Sequence, residues 1–247
     1  MKRLVWKLWL PATALMLWQA LAWAGAVDPL FFPPPSTMLA SAGKMTLSGE
    51  LPGHVRATLA RMAAGFLAGA VPGLVMGLLM GGAARIRQTL EPIISAVYST
   101  PKLSLFPMVM LFLGVGDAAR IVLIAAASFA IAAIHGLDAV RNLDRVYVEM
   151  AVNYGARPMA LFRRVYLPAC LPYVFTGLRL ALGRALVVAV SVELVSSSDG
   201  LGSMIWLSWQ TLETDRLYVA VFLTAALGGL LHYGLRHLEK RLIPWKA

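Results

Sequence analysis

Cysteine, acidic residues and nucleotide-binding signatures are scarce in this chain of 247 residues. The single cysteine, Cys170, excludes a disulfide within the chain, and no spacing of Cys and His predicts a metal site. The four histidines are scattered, which is typical of packing or interface residues rather than ligands. No glycine-rich stretch is followed by Gly-Lys-Ser or Gly-Lys-Thr, so the chain has no loop of the kind that holds ATP phosphates.

Charge is also absent from long stretches of the sequence. The chain is 59% hydrophobic with a mean hydropathy of +0.72, which is too apolar for an ordinary soluble domain. The net charge of +10 would suit a nucleic-acid partner. However, the Lys and Arg residues flank apolar runs, which is the bias of a membrane protein, so we expect a lipid membrane and no nucleic acid as its surroundings.

The apolar runs predict an all-α membrane protein with about six transmembrane helices, since a helix needs roughly 20 apolar residues to span a bilayer. The segments between alternate runs are rich in Lys and Arg, which predicts that both termini are cytoplasmic. The first run could instead be a cleaved signal peptide, with Ala22-Trp23-Ala24 as the cleavage site, but its length favours a retained span. The six predicted spans are residues 8–27, 62–84, 92–116, 118–137, 169–192 and 217–235.

Three parts follow from this pattern: an N-terminal span with a proline-rich outer loop (1–53), a transmembrane domain (54–240) and a cytoplasmic tail (241–247). Three consecutive prolines exclude a helix over residues 33–35, and Ser36 could cap the short helix that follows. A distortion is expected near Pro101, within the third span.

Glycine recurs at every fourth position of the second predicted span. On a helix this spacing forms a ridge without side chains, against which another helix can pack closely. The sequence therefore predicts a close helix contact here rather than a ligand site. The residues are Gly65, Gly69, Gly73, Gly77 and Gly81.

The inner loop, about residues 138–168, is basic and amphipathic. We expect one helix from Asp144 to Tyr154 that ends at Gly155, because glycine adopts the left-handed conformation at helix ends. Pro158 fits the first turn of a second helix. Such a knob suits a soluble partner, although an ordinary inner loop with basic anchors is the alternative.

The spacing within this loop resembles the EAA loop of permeases of binding-protein-dependent ABC importers. That pattern is Glu-Ala-Ala, three residues, Gly, nine residues, Ile, any residue, Leu-Pro. Methionine replaces the first Ala and valine replaces Ile. Most of the chain is similar to the nitrate/sulfonate/taurine-type subgroup, including PKLSLFPMVMLFLGVG at 101–116 and HGLDAVRNLD at 135–144. The matching residues are Glu149, Met150, Ala151, Gly155, Val165, Leu167 and Pro168.

The resemblance implies the type I ABC importer permease fold with a cytoplasmic coupling-helix loop, in a bacterial inner membrane. Two cytoplasmic ATP-binding subunits would each bind one loop, and Glu149, Ala151 and Gly155 would belong to that contact. A second permease copy would complete the path, and an extracytoplasmic solute-binding protein would deliver a small organic anion such as a sulfonate, taurine or nitrate. The chain itself would be no enzyme and would need no cofactor, since ATP is bound by the partner.

Charged residues inside the fifth predicted span are candidates for the translocation path. A cation at the centre of a membrane helix costs about 2.5–3.5 kcal/mol on insertion scales, so it usually faces a bundle interior or a wet cavity. Arg184 is the better candidate for meeting an anion, because its planar fork matches sulfonate or carboxylate. Arg179 could be structural, pairing with Glu149 or a neighbouring helix. Glu193, near the outer end, could pair with an arginine or line a gate.

Three other classes remain as alternatives. An ion-coupled secondary transporter usually shows internal repeats and intramembrane carboxylates, and an intramembrane enzyme requires clustered His, Asp, Glu or Ser; the sequence offers neither pattern convincingly. A membrane scaffold without transport is the third. Co-purification with an ATPase subunit would separate the permease from all three.

Overall fold

The computed structural model describes residues 2–196 and 198–246, and every regular element in these ranges is helical. This confirms the all-α fold class. The long helices are joined by short connections, and the last predicted membrane run continues into the basic tail without a break. The elements are α1 (Lys2–Trp23), α2 (Pro35–Leu47), α3 (Glu50–Gly82), α4 (Ala84–Ser99), α5 (Phe106–Leu113), α6 (Asp117–Arg141), α7 (Arg145–Asn153), α8 (Pro158–Leu161), α9 (Leu167–Ser196), α10 (Leu201–Gln210) and α11 (Thr214–Leu242).

Three helices in the described residues are long and apolar enough to cross a membrane by length and composition: α3, α6 and α11. A fourth span results if α4 and Leu103–Leu113 count together, although they meet at an angle of 87°. The count of six spans therefore stays a prediction.

The bend after α4 confirms the distortion expected near Pro101. Thr100 has an extended backbone, with φ −67° and ψ 130°, because a residue before proline is sterically disfavoured in the helical region. The buried ammonium of Lys102 then donates to the carbonyl oxygens of Val97 and Thr100. These are carbonyls that the helix end leaves without backbone donors, so the lysine stabilises the bend.

The chain divides into two compact units, and the division falls inside α3, α9 and α11. Unit 1 comprises residues 1–58 and 193–226. Its buried core includes Met38, Met45 and Met204, with Trp18 packed edge-on against Tyr218 at 5.2 Å between ring centroids.

Unit 2 comprises residues 59–192 and 227–247. Its largest buried cluster is built mainly from α6 and α9, with Phe106 of α5 and Met62 of α3 packed into it. The small residues of this cluster let the helix backbones approach one another closely, as is common in membrane bundles. Unit 2 carries both the inner loop and the two candidate arginines.

The glycine ridge of α3 packs against α6, as the spacing predicts. A Cβ placed on Gly69 would lie 2.0 Å from the carbonyl oxygen of Ala125, and one on Gly77 would lie 2.1 Å from that of Ala133. No real Cβ makes such contacts, so only glycine permits this approach. The two helix backbones are in direct contact at Gly69, Gly73 and Gly77, whereas Gly65 and Gly81 pack mainly against side chains of α6.

The start of α2 differs from the expectation that Ser36 caps it. The helix begins at Pro35, two residues earlier than a cap at Ser36 requires, with Pro34 in the cap position and no side-chain cap. The expectation that residues 33–35 exclude a helix is therefore wrong for Pro35. Proline tolerates the first helical position because the N–H that it lacks would have no helical partner there. Ser36 instead contacts α1: its amide donates to Oε1 of Gln19 at 3.0 Å, and its hydroxyl accepts from Nε2 at 3.1 Å.

Candidate functional site

The first helix of the inner loop matches the sequence expectation at both ends. Asp144 is the N-cap of α7, and its carboxylate accepts a hydrogen bond from the amide of Val146 at 3.0 Å. Gly155 has a φ of 74°. Its amide donates to Val152 at 2.8 Å, and the amide of Ala156 donates to Ala151 at 3.0 Å. This pair of bonds is the Schellman motif, which ends a helix and satisfies its last carbonyls.

The second half of the loop runs directly into the next long helix. Residues 158–161 form α8, residues 162–166 form a wide turn with π-helical bonding, and α9 follows at once. In that turn the amide of Leu167 donates to Phe162, five residues back. Pro168 explains the widening, since it has no N–H and its ring would clash with the carbonyl four residues before it in a regular helix. The Leu-Pro at the end of the motif thus sets the geometry of the loop's exit.

The loop presents an exposed surface that is partly apolar. Glu149, Met150, Gly155 and Leu167 are exposed, whereas Ala151, Val165 and Pro168 are half-buried. Large neighbours are also exposed: Tyr154 at 87%, Met159 at 63% and Tyr147 at 60%. Contiguous exposed apolar side chains with a polar rim are typical of a protein interaction surface.

A cavity of about 410 Å³ lies beside the loop and is bordered by Glu149, Arg87 and Arg141. Nη1 of Arg141 is bonded to Oε1 of Glu91 at 3.1 Å. Glu149 has no hydrogen-bond or ion-pair partner among the described side chains.

Arg179 and Arg184 border one cavity of about 590 Å³ in unit 2, although helical rotation separates their positions on α9. Nη1 of Arg179 forms an ion pair with Oε2 of Glu239 on α11 at 3.2 Å. The expected partners of Arg179 are Glu149 or a neighbouring helix, and the structure shows pairing with a neighbouring helix, α11. Arg184 is exposed on the cavity wall and forms no hydrogen bond or ion pair with the described residues.

Glu193 is fully buried in unit 1 and does not border that cavity. Its Oε2 accepts a hydrogen bond from the hydroxyl of Thr58 at 2.8 Å and another from the amide of Gly202 at 3.1 Å. The same Thr58 oxygen accepts from the amide of Leu201 at 2.8 Å. These bonds, and the favourable position of a carboxylate at a helix N-terminus, hold the first turn of α10.

Sequence reasoning missed four polar residues close to Arg184. Tyr98, His135 and His232 border the 590 Å³ cavity, and Lys102 lines a small crevice together with Tyr98 and Arg184. Lys102 gave a usable signal, since it is a cation inside an apolar run. The histidines gave none, because scattered positions become neighbours only in the folded chain.

Residues 73–244 match the family model described as binding-protein-dependent transport system inner membrane component. The chain belongs to this family. It is a permease subunit of an ABC importer, and its role is transport rather than catalysis. This confirms the fold and the function expected from the loop spacing.

Curated relatives match over nearly the whole chain. A putative aliphatic sulfonates transport permease protein, SsuC of Bacillus subtilis, is 33% identical over 99% of this chain and 90% of its own length. The taurine transport system permease protein TauC of Escherichia coli is 32% identical over 95% of this chain and 87% of its own.

A solved structure shares the fold. The inward-facing MetNI methionine ABC transporter contains a chain that superposes with a TM-score of 0.67 at 20% identity, over 79% of this chain and 97% of that one.

Proposed function

We propose that this permease imports a small organic anion, a sulfonate or taurine being the leading candidates, and that its inner loop docks on a cytoplasmic ATPase subunit. Two relatives carry aliphatic sulfonates and taurine in their names. The wall of the larger cavity carries the exposed Arg184, whose guanidinium suits an oxyanion. The chain would work as a homodimer in the inner membrane, with both termini in the cytoplasm.

The observation that supports docking most strongly is the shape of the loop itself. The Schellman motif at Gly155 turns the chain sharply between α7 and the second half of the loop. Around this turn lie exposed apolar side chains and the carboxylate of Glu149, which no described side chain pairs with. Apolar anchors surrounded by charged groups are the usual composition of a specific protein interface.

The sequence supports the assignment of ATP hydrolysis to separate subunits. The chain contains no phosphate-binding loop, so the ATP that drives transport is bound and hydrolysed by the partner subunits. The permease needs no cofactor of its own. An extracytoplasmic binding protein delivers the solute, as the family description implies.

Gly155→Asp tests the docking role. A side chain at φ 74° costs about 1–2 kcal/mol, and the new carboxylate changes the charge of a basic loop, while the surrounding space is open. In a strain that lacks its own permease but expresses the ATPase and the binding protein, we expect taurine or sulfonate uptake to fall at least about tenfold. The amount of inserted permease should stay unchanged, and less ATPase should co-purify.

Two matched variants control this experiment. Gly155→Asn should retain most of the uptake, because asparagine tolerates the left-handed region better than most residues. Gly25→Asp introduces the same strain at φ 68°, because Gly25 ends α1 with the same pair of hydrogen bonds as Gly155; it also faces open space but lies outside the loop, and should leave ATPase co-purification intact. Normal transport by Gly155→Asp would refute the docking role.

A further inference from the structure

Arg184 carries a charge that no described residue neutralises, near the middle of a long apolar helix. It is the eighteenth of the 30 residues of α9, it is exposed on the wall of the 590 Å³ cavity, and none of the described residues bordering that cavity is acidic. The sequence predicts that this helix spans the membrane, where a cation is costly unless it meets water or an anion. The cavity volume lies within the range of about 300–1,000 Å³ typical of small-molecule sites.

Arg179 provides an internal comparison. It lies on the same helix and borders the same cavity, yet Glu239 pairs with it at 3.2 Å. Glu239 is 7% exposed, so this pair is largely removed from water. Among the described residues, a carboxylate thus neutralises one arginine of the cavity wall, and none pairs with the other.

Lys102 adds a second positive charge near Arg184. The two residues line the same crevice and lie close enough for their charges to repel. Lys102 is 8% exposed, and its described hydrogen bonds go to two backbone carbonyls rather than to a carboxylate. The crevice, about 10 Å³, holds no more than about one water molecule. Lys102 therefore influences the larger cavity through the electrostatic field of its positive charge and does not touch the solute; it is a positioning residue.

We propose that Arg184 binds the oxyanion group of the solute during translocation, so that the permease itself selects for negative charge, in addition to the selection made by the binding protein. This inference rests on the proposed function. The ligand class is a small organic molecule with one sulfonate or carboxylate group. The planar guanidinium offers two parallel N–H donors to such a group, and Tyr98, His135 and His232 supply further polar contacts on the cavity wall.

Direct binding to the complete permease–ATPase complex in lipid nanodiscs, without the binding protein, tests this selection. The probes are ethanesulfonate and its uncharged analogue ethyl methyl sulfone, titrated calorimetrically. The wild-type complex should bind the sulfonate more tightly. Arg184→Gln should raise the Kd for the sulfonate about 10- to 100-fold, the effect of losing charged hydrogen bonds, and should leave the sulfone unaffected. Lys102→Gln should raise the Kd for the sulfonate only a few-fold, and this effect should be smaller in high salt because salt screens the charge of Lys102.

The matched control is the double variant Arg179→Gln with Glu239→Gln. It removes a charged pair from the same cavity wall without changing the net charge, so the Kd for ethanesulfonate should stay within about twofold of the wild-type value. Arg184→Lys keeps the charge but loses the fork, and should bind the sulfonate less tightly than wild type and more tightly than Arg184→Gln. If Arg184→Gln does not assemble with the ATPase, the Kd of Arg184→Lys for ethanesulfonate decides whether Arg184 binds the oxyanion.

Two results would overturn the inference: equal binding of sulfonate and sulfone by the wild-type complex, or wild-type sulfonate binding by the assembled arginine variants. Proteoliposomes that contain the complete importer with ATP and the binding protein separate this failure from that of the proposed function. If the wild type takes up no organic anion, the proposed substrate class and the inference both fall. If it takes up ethanesulfonate and Arg184→Gln does so equally well, only the inference falls.

Discussion

Gly69→Ala should destabilise the protein by an amount that the structure allows us to work out. The added Cβ would lie 2.0 Å from the carbonyl oxygen of Ala125, and the nearest atoms around it all belong to the backbone of α6. A backbone carbonyl within a helix cannot rotate aside as the end of a side chain can. Since ordinary contact begins near 3.4 Å, the two helices must separate locally by about 1.4 Å.

Overpacking of this kind costs typically about 1–3 kcal/mol. Alanine stabilises a helix by roughly 0.5–1 kcal/mol relative to glycine, so we expect the free energy of unfolding to fall by a net amount of about 1–2 kcal/mol. Gly53→Ala is the matched control, because Gly53 lies in the same helix but a Cβ there meets nothing within 4 Å. Gly228→Ala is intermediate: its Cβ would lie 3.3 Å from Cδ2 of Leu186, the flexible end of a side chain.

Equilibrium unfolding in mixed detergent micelles measures these differences, with the fluorescence of the seven tryptophans as the signal. The order of stability should be Gly53→Ala, then Gly228→Ala, then Gly69→Ala. The difference between the first and the last isolates the steric term. If Gly69→Ala unfolds at the same detergent composition as Gly53→Ala, the backbone contact between α3 and α6 is not as close as described.

Two further predictions concern buried carboxylates. Glu193→Gln should destabilise the protein by about 1–3 kcal/mol and speed hydrogen exchange at the first turn of α10, since the carboxylate accepts hydrogen bonds there. The control is Glu213→Gln, which should cost less than about 1 kcal/mol because the side chain of Glu213 is 47% exposed in its ion pair with Arg216. Equal hydrogen exchange in both variants would contradict the role of Glu193. Arg179→Gln should cost up to about 3–5 kcal/mol by removing one ion-pair partner of the buried Glu239. Adding Glu239→Gln should recover part of the loss in a double-mutant cycle of unfolding free energies. Strictly additive losses would show that the two side chains do not interact.

Local signals in the sequence predicted the inner loop closely. Asp144 and Gly155 set the two ends of α7 through a side-chain cap and a left-handed turn, and both devices act within a few residues of chain. The glycine ridge was predictable for a related reason, because a period of four residues on a helix places the glycines on one side.

Interactions between distant segments could not be predicted in this way. Thr58 and Glu193 are 135 positions apart and meet only because α3 and the end of α9 come together within unit 1. The surroundings of Arg184 are another example. Its neighbours Tyr98 and His232 belong to α4 and α11, and nothing in their local sequence indicates a shared cavity. The two-residue error at the start of α2 has a local cause, since proline both ends and begins helices.

The wide turn at residues 162–166 has a consequence for how the two ends of unit 2 communicate. Because residues 158–192 form a single unbroken helical column within that unit, the second half of the loop and Arg184 on the cavity wall lie on one continuous stretch of helix. At about 1.5 Å of rise per residue they are separated by roughly 40 Å. A few degrees of tilt at the loop end would therefore displace the guanidinium by ångströms, without any signal passing through side-chain contacts, provided that the wide turn at residues 162–166 stays wound.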